Sequence, residues 1–170
     1  LDAFAAADPT PGGGSASALA GAVAASLLSM VASMPKSKSN AVAEREALDE
    51  ANTEIVQLRE TLTALIDRDA DAYDLVVSAF RKPKGTDDEK IARKAAIQEA
   101  TRVATEIPVE TMKACASLLR LQKIVAAHGN TNAASDVHVA GLLAHAALKG
   151  ARSNVDINLP GITDAAIAAD

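Results

Sequence analysis

The sequence predicts an all-α fold, an antiparallel bundle of about five helices that dimerises through its long helices. Apolar residues recur in steps of three and four over most of the chain, and no alternating run is long enough for a sheet. After Ser15 comes a segment of almost nothing but Ala, Gly, Ser, Leu and Val, a composition suited to close helix–helix contact. At 170 residues the chain suffices for one domain, 1–170, with a real core.

The first helix follows Pro11-Gly12-Gly13-Gly14-Ser15. Three successive glycines permit backbone angles that other residues avoid, and the helix start offers unpaired N–H groups and a positive dipole end. Together these favour an anion such as a carboxylate or phosphate. The same glycines also fit a plain loop that admits a small-residue helix to a crowded bundle. From Ser17 a small residue recurs every fourth position (Gly21, Ala25, Ser29, Ser33), giving a smooth groove for another backbone. The other side carries Leu19, Val23, Leu27, Leu28, Met30 and Val31, so burial over most of the circumference is expected. The weak apolarity of Ala, Ser and Gly, with no basic leader, favours a soluble core helix over a membrane span.

After Pro35 and the polar stretch Lys36 to Asn40, a long helix is expected from Val42 to Phe80, its seam running through Ala51, Ile55, Leu58, Leu62, Leu65, Ala72, Val76 and Ala79. Pro83 and Gly85 end it. Thr86-Asp87-Asp88-Glu89 is a capping box for the next helix, which carries Ile91, Ala95, Val103 and Ile107 and runs to Gly129, with a kink or break expected at Pro108. A last helix follows Ser135-Asp136, reaches Val155 and ends before Pro160.

Net charge is −5 with both signs interspersed, which argues against a nucleic-acid surface, and 2% aromatic residues leave few platforms for stacking bases. The one cysteine, Cys115, excludes an intramolecular disulfide, reads as a small buried hydrophobe and fits a reducing cytoplasm. The chain opens on Leu1 rather than Met, so a few residues are expected ahead of it. His138 and His145 lie seven apart with no third ligand at metal spacing, so no metal site is expected.

Two polar features stand out. Continuing the seam from Leu65 by four places Asp69 at an apolar position, where a carboxylate calls for a partner or a task. It suits a register-fixing polar residue and a catalytic group equally, whereas Asp67, Asp71 and Asp74 lie off the seam. The second is Gly129-Asn130-Thr131-Asn132-Ala133-Ala134-Ser135-Asp136, whose Asn, Ser and Asp can cap the last helix or hold a polar heterocycle. Arg152, Asn154 and Asn158 cluster further on.

Five segments stand in order: Asp8-Pro9-Thr10-Pro11-Gly12-Gly13-Gly14-Ser15-Ala16, Asp69-Ala70-Asp71-Ala72-Tyr73, Lys82-Pro83-Lys84, the run from Gly129 to Asp136, and Asn154-Val155-Asp156-Ile157-Asn158-Leu159-Pro160. Together they resemble the cyclodeaminase/cyclohydrolase family over essentially the whole chain. The resemblance implies an all-helical homodimer with a folate site in a crevice at the subunit contact. It also implies action on one-carbon tetrahydrofolates without metal or nicotinamide. Two features depart from the family. Its basic run after the first helix is thinned here to Lys36 and Lys38, with Asn40 in the place of an aromatic, and the family usually continues for another helix beyond Asp170. The second departure implies a fragment or a member with a shortened C-terminus.

The implied chemistry needs a base for water and an anion near the methenyl cation, and a carboxylate supplies both. Asp69 and Asp136 are the candidate catalytic residues. Gly12, Gly13, Gly14 and Ser15 are candidates for anion or backbone contacts, Lys36 and Lys38 for a polyglutamate tail, and Asn130, Asn132, Ser135, Asn154 and Asn158 for other substrate contacts. Methenyltetrahydrofolate cyclohydrolase is the leading expectation, since Pro83 to Lys90 looks most like stand-alone cyclohydrolases. Formimidoyltetrahydrofolate cyclodeaminase, a non-catalytic folate binder and a plain helical scaffold are the alternatives.

Overall fold

The structure, a computed structural model, describes residues 1–35 and 41–163. Five α-helices occur among them: α1 (Asp2–Ala5), α2 (Gly13–Ser33), α3 (Val42–Phe80), α4 (Asp87–His128) and α5 (Ala134–Asn158), with single 3₁₀ turns at Thr131–Ala133 and Leu159–Gly161 and no strand. The four long helices close into a ring in which α2 packs on α3 and α5, and α4 packs on the same two from the other side. The long seam lies where its spacing placed it. Ala51, Ile55, Leu62, Leu65, Ala72 and Ala79 are buried, with Leu58 and Val76 half-buried at its margin.

α2 meets the sequence expectation on one face and departs from it on the other. Its small-residue face turns inward: Ser17, Gly21, Ala25 and Ser29 are buried, and Ser17 lies against Gly150 of α5. A Cβ on Gly21 would stand 3.0 Å from Cys115 Sγ and 3.1 Å from Leu62 Cδ2, so α3 and α4 approach this helix as closely as a missing side chain allows. Of the larger residues, Leu28 and Val31 are buried, but Val23 and Met30 are 43% and 44% exposed and Leu19 and Leu27 half-buried. The helix is thus a corner of the ring and keeps one apolar face outside it. By length and composition it could cross a membrane, yet 61% of its apolar window is buried inside the bundle.

α3 and α4 are much longer than their neighbours. At about 1.5 Å per residue, the 39 and 42 residues of this hairpin overshoot the 21 of α2. Asp69 of α3 meets the first turn of α2, so the last eleven residues of α3, Ala70 to Phe80, project past it by about 16 Å. The beginning of α4 projects with them, which leaves Ile91 and Ala95 exposed instead of in the core. Thr86 and Glu89 form the expected capping box: Glu89 N–H donates to Thr86 Oγ1 at 3.2 Å, and Thr86 N–H donates to Glu89 Oε2 at 3.0 Å.

Pro108 does not break α4, which runs unbroken from Asp87 to His128 with Pro108 buried inside it. Proline has no N–H for the carbonyl four residues back, here that of Ala104. Asn158, at the end of α5, supplies the missing donor, its Nδ2 donating to Ala104 O at 3.0 Å. Asn158→Ala is therefore expected to lower the unfolding free energy by about 1–2 kcal/mol. In a Pro108→Ala background, where the helix regains its own donor, the same change should cost about half as much or less. A double-mutant cycle on urea midpoints checks this, and equal costs in both backgrounds would show that Asn158 does not serve that carbonyl.

Candidate active site

The short helices end against the projecting hairpin, and a cavity of about 260 Å³ opens on that ledge. Its lining comes from the segment before α2 (Pro9, Thr10), the start of α2 (Gly12 to Gly14), α3 (Asp69, Tyr73, Val76), α4 (Ala104) and the end of α5 (Asn154, Asn158). The Thr10–Pro11 peptide leading into it is cis.

Asp69 organises the site. Its Oδ2 accepts from Ser15 N–H at 2.7 Å and from Ser15 Oγ at 2.9 Å. Ser15 is the third residue of α2 and the N-cap Gly12 has no side chain, so a carboxylate from α3 does the work of an N-cap. Negative charge is favoured at that end of a helix. The three glycines serve this contact by absence of bulk. None has a positive φ, contrary to the expectation of unusual backbone angles. A Cβ on Gly14 would fall on the Asp69 carboxylate itself, whereas one on Gly13 would stand an ordinary 3.7 Å from Asn154 Nδ2. The neighbouring Arg68 does not neutralise Asp69. Its guanidinium is held bidentately by Glu110 at 2.7 and 2.9 Å, and that hydrogen bond raises its pKa above the ordinary arginine value.

Tyr73 stands one turn beyond Asp69 on the same face of α3 and is 40% exposed at the cavity. It is the chain's one tyrosine and the aromatic surface at the site. Sequence reasoning quoted it in a motif and gave it no role, although the four-residue step from Asp69 was the available signal. Thr10, Val76 and Ala104 carried no such signal. Asn154 Nδ2 donates back to Gly150 O at 2.9 Å, and its Oδ1 has no protein partner among the described residues. Arg152 points its charge to Asp156 at 3.6 Å and is not part of the cavity.

The remaining candidates lie elsewhere. Asn130, Asn132, Ser135 and Asp136 are at the turn between α4 and α5, beside the far end of α2, about 30 Å along that helix from the glycines. Asn130 is committed to the fold: its Nδ2 donates to Pro35 O, and its Oδ1 accepts from Asn132 N–H at 2.9 Å. The side chains of Ser135 and Asp136 do not cap α5, whose N-cap is Ala133, and both sit inside its first turn, Ser135 exposed and Asp136 half-buried. Lys36 and Lys38 lie outside the described residues. His138 and His145 are exposed, and no group of three His, Cys, Asp or Glu suited to a metal ion occurs among the described residues. Burial pushes the Cys115 thiol up to about 11, consistent with an inert packing residue.

The fold and site define a helical ring in which a carboxylate from one helix caps the glycine-started end of another, and comparison with known proteins supplies the family. The chain matches the formiminotransferase-cyclodeaminase family over residues 1–170 and belongs to it. It is 43% identical over 168 residues to a methenyltetrahydrofolate cyclohydrolase of Methylorubrum extorquens, covering 99% of this chain and 81% of that one. It is 34% identical over 158 residues to the formimidoyltransferase-cyclodeaminase of Gallus gallus, covering 91% of this chain and 28% of that longer protein. The crystal structure of a formiminotetrahydrofolate cyclodeaminase from Thermotoga maritima superposes with a TM-score of 0.85 at 28% identity, covering 99% of this chain and 80% of that one.

The Asp69 contact makes the glycines unequal. Gly14→Ala is expected to destabilise the protein by about 1–3 kcal/mol through overpacking against Asp69. Gly13→Ala should be neutral or slightly stabilising, since alanine is the better helix former. Thermal unfolding of the two variants checks the contrast.

Proposed function

We propose that this chain is a methenyltetrahydrofolate cyclohydrolase, converting 5,10-methenyltetrahydrofolate and water to 10-formyltetrahydrofolate. The observation that carries the reading is Asp69, a carboxylate held by Ser15 at the wall of a cavity with an aromatic ring one turn away. The similarity to the cyclohydrolase of Methylorubrum extorquens, which extends over nearly all of this chain, supports it.

In the substrate the carbon between N5 and N10 is part of an amidinium-like cation. Water adds there, forming a C–O bond, while Asp69 takes a proton from the water and its charge offsets the cation. The hydroxyl of the resulting carbinolamine loses its proton as the C=O bond forms, and the C–N5 bond breaks. Asp69 returns its proton to N5, leaving the formyl group on N10 and one proton released to solvent. The methenyl carbon is already a strong electrophile, so the reading calls for no metal and no nicotinamide. Tyr73 offers a face for the flat part of the substrate, and Asn154 Oδ1 an acceptor for its N–H groups.

The cyclodeaminase relatives favour a second reaction at the same carbon. In it N10 of 5-formimidoyltetrahydrofolate attacks the formimidoyl carbon and ammonia leaves after protonation. Ammonia release separates the two readings.

The protein acts as a homodimer in this reading. The outward apolar face of α2 (Leu19, Val23, Leu27, Met30) continues into Val139 and Leu142 of the antiparallel α5, both exposed. A two-fold axis across α2 pairs the same patch with itself. It also sets the helices antiparallel, so that the glycine end of one protomer meets the Asn132–Asp136 end of its partner. This gives Asp136 and the neighbouring polar residues a route to the site.

The decay of methenyltetrahydrofolate absorbance, measured against buffer alone, tests the activity. Asp69→Asn keeps an oxygen to accept from Ser15 and removes the charge and the base, so turnover should fall by about 100-fold or more with the fold retained. Undiminished turnover would remove Asp69 from the chemistry. Light scattering should give twice the chain mass at micromolar concentration, and Met30→Glu should shift it toward the single-chain mass.

A further inference from the structure

The two oxygens of Asp69 are not equivalent. Oδ2 accepts twice, from Ser15 N–H at 2.7 Å and from Ser15 Oγ at 2.9 Å, whereas Oδ1 has no protein partner among the described residues. A carboxylate oxygen offers two lone-pair positions, so Ser15 fills both of those on Oδ2. Oδ1 lies over Gly14, since a Cβ built on that glycine would come nearer to Oδ1 than to Oδ2. Gly14 and Asp69 line the cavity, while Ser15 is not part of its lining and is fully buried. The carboxylate thus has a closed side at Ser15 and an open side at the cavity.

The hydroxyl of Ser15 is the part of this contact that the side chain supplies. Any residue other than proline at that position would offer the N–H, because the third residue of a helix has no carbonyl of its own helix to donate to. One donor leaves the carboxylate free to turn, since the terminal torsion of an aspartate is broad. A second donor on the same oxygen fixes its plane. Ser15 is 0% exposed, so no water can take the place of its hydroxyl. No cation competes for the carboxylate either, because Arg68 is held by Glu110 at 2.7 and 2.9 Å. Expected from the sequence to touch substrate, Ser15 is closed off from the cavity and can reach the chemistry only through Asp69.

We infer that Ser15 is the positioning residue of the reaction, its hydroxyl confining the base to one atom, Asp69 Oδ1. The inference rests on the cyclohydrolase reading above and adds to it which oxygen moves the proton and what aims it. Oδ1 takes a proton from the attacking water as the C–O bond forms. In the carboxylic acid that results, Oδ2 is a carbonyl oxygen and still accepts both bonds from Ser15. Oδ1 then returns the proton to N5 as the C–N5 bond breaks, which restores the carboxylate, and the proton of the carbinolamine hydroxyl goes to solvent. A proton placed on Oδ2 would have to displace one of the Ser15 donors. The same hydrogen bonds therefore serve both protonation states, and the site reacts without reorganising. Losing the hydroxyl lets the base swing about its remaining bond, a misplacement that costs turnover and leaves substrate binding intact.

The test measures kcat and KM for methenyltetrahydrofolate, and equilibrium binding of the stable 5-formyltetrahydrofolate, in Ser15→Ala and Ser15→Thr, with thermal unfolding to show that each variant is folded. Ser15→Ala keeps the N–H and removes only the hydroxyl. Its kcat should fall by about 10-fold or more, with KM and the binding constant within about 2-fold of wild type. Ser15→Thr restores a hydroxyl at the same place and should recover most of the lost kcat. An active wild-type protein whose Ser15→Ala variant turns over at full rate would overturn the assignment and leave the cyclohydrolase reading standing. So would a Ser15→Ala variant that loses binding as much as turnover, since the hydroxyl would then serve the shape of the cavity and not the base. A folded Ser15→Thr variant as slow as Ser15→Ala would also overturn it. No turnover by the wild-type protein would remove both readings together.

Discussion

The hydrogen bond from Ser15 N–H to Asp69 Oδ2 is the constraint on which the rest of the site depends. It ties the start of α2 to a point on α3 fifty-four residues later, and so sets how far the hairpin runs past the shorter helices. The ledge that holds the cavity exists because that contact is made near the middle of the second half of α3 and not at its end. The contact also dictates the glycines. A carboxylate can come that close to a helix start only where no side chain intervenes, so Gly14 and Asp69 form one feature written in two places. Asp69 therefore acts in two ways at once, as a cap through Oδ2 and as the carboxylate that the cavity offers a ligand.

A second pairing of distant residues works by the same logic. Pro108 removes a donor from the middle of α4, and Asn158 restores one from the end of α5. This bond fixes the end of α5 at Ala104, which lines the cavity, and Asn154, one turn earlier, is thereby placed opposite Gly13. Asn158 was read from the sequence as a substrate contact. Its amide nitrogen has a structural partner, and its effect on a ligand is to hold the wall. The glycine-started helix and the helix that lacks a donor at its proline are two local weaknesses, each repaired by a polar side chain from another element at the cavity.

Most of the fold was legible because long helices announce themselves repeatedly. The seam from Ala51 to Ala79 and the Thr86–Glu89 cap locate α3 and the start of α4 without ambiguity. The contact face of α2 was legible, but the exposure of its opposite face was not. Its inward face is built from Ser17, Gly21, Ala25 and Ser29, which the four-residue spacing marks for close approach, whereas the apolar Val23 and Met30 opposite stay outside the ring although apolarity alone predicts their burial. The fate of Pro108 was hidden for a different reason, since its remedy lies fifty residues away. At the site, Asp69 was visible as a carboxylate in an apolar register, and Gly12 to Gly14 as a run. Asn130 looked identical to a ligand contact in sequence, and only the fold reveals that Pro35 and Asn132 occupy it.

The separation of polar residues to the two ends of α2 has a consequence for the chemistry. Asp69 and Asp136 are too far apart within one protomer to act on the same carbon. The reaction does not need both for its proton traffic, because the carboxylate that takes a proton from water can hand it to N5 in the next step. What a single small carboxylate cannot do is orient a large flat substrate, and that need is met by surfaces, not by a second base. Tyr73 and the hairpin face supply one such surface, and the antiparallel pairing of α2 helices would bring the Asn132–Asp136 turn of the partner to complete it. In the proposed reading the division of labour follows the division of the fold: proton transfer would fall to the α2–α3 contact within a protomer, and grip on the substrate to Tyr73 on the hairpin and to the proposed interface.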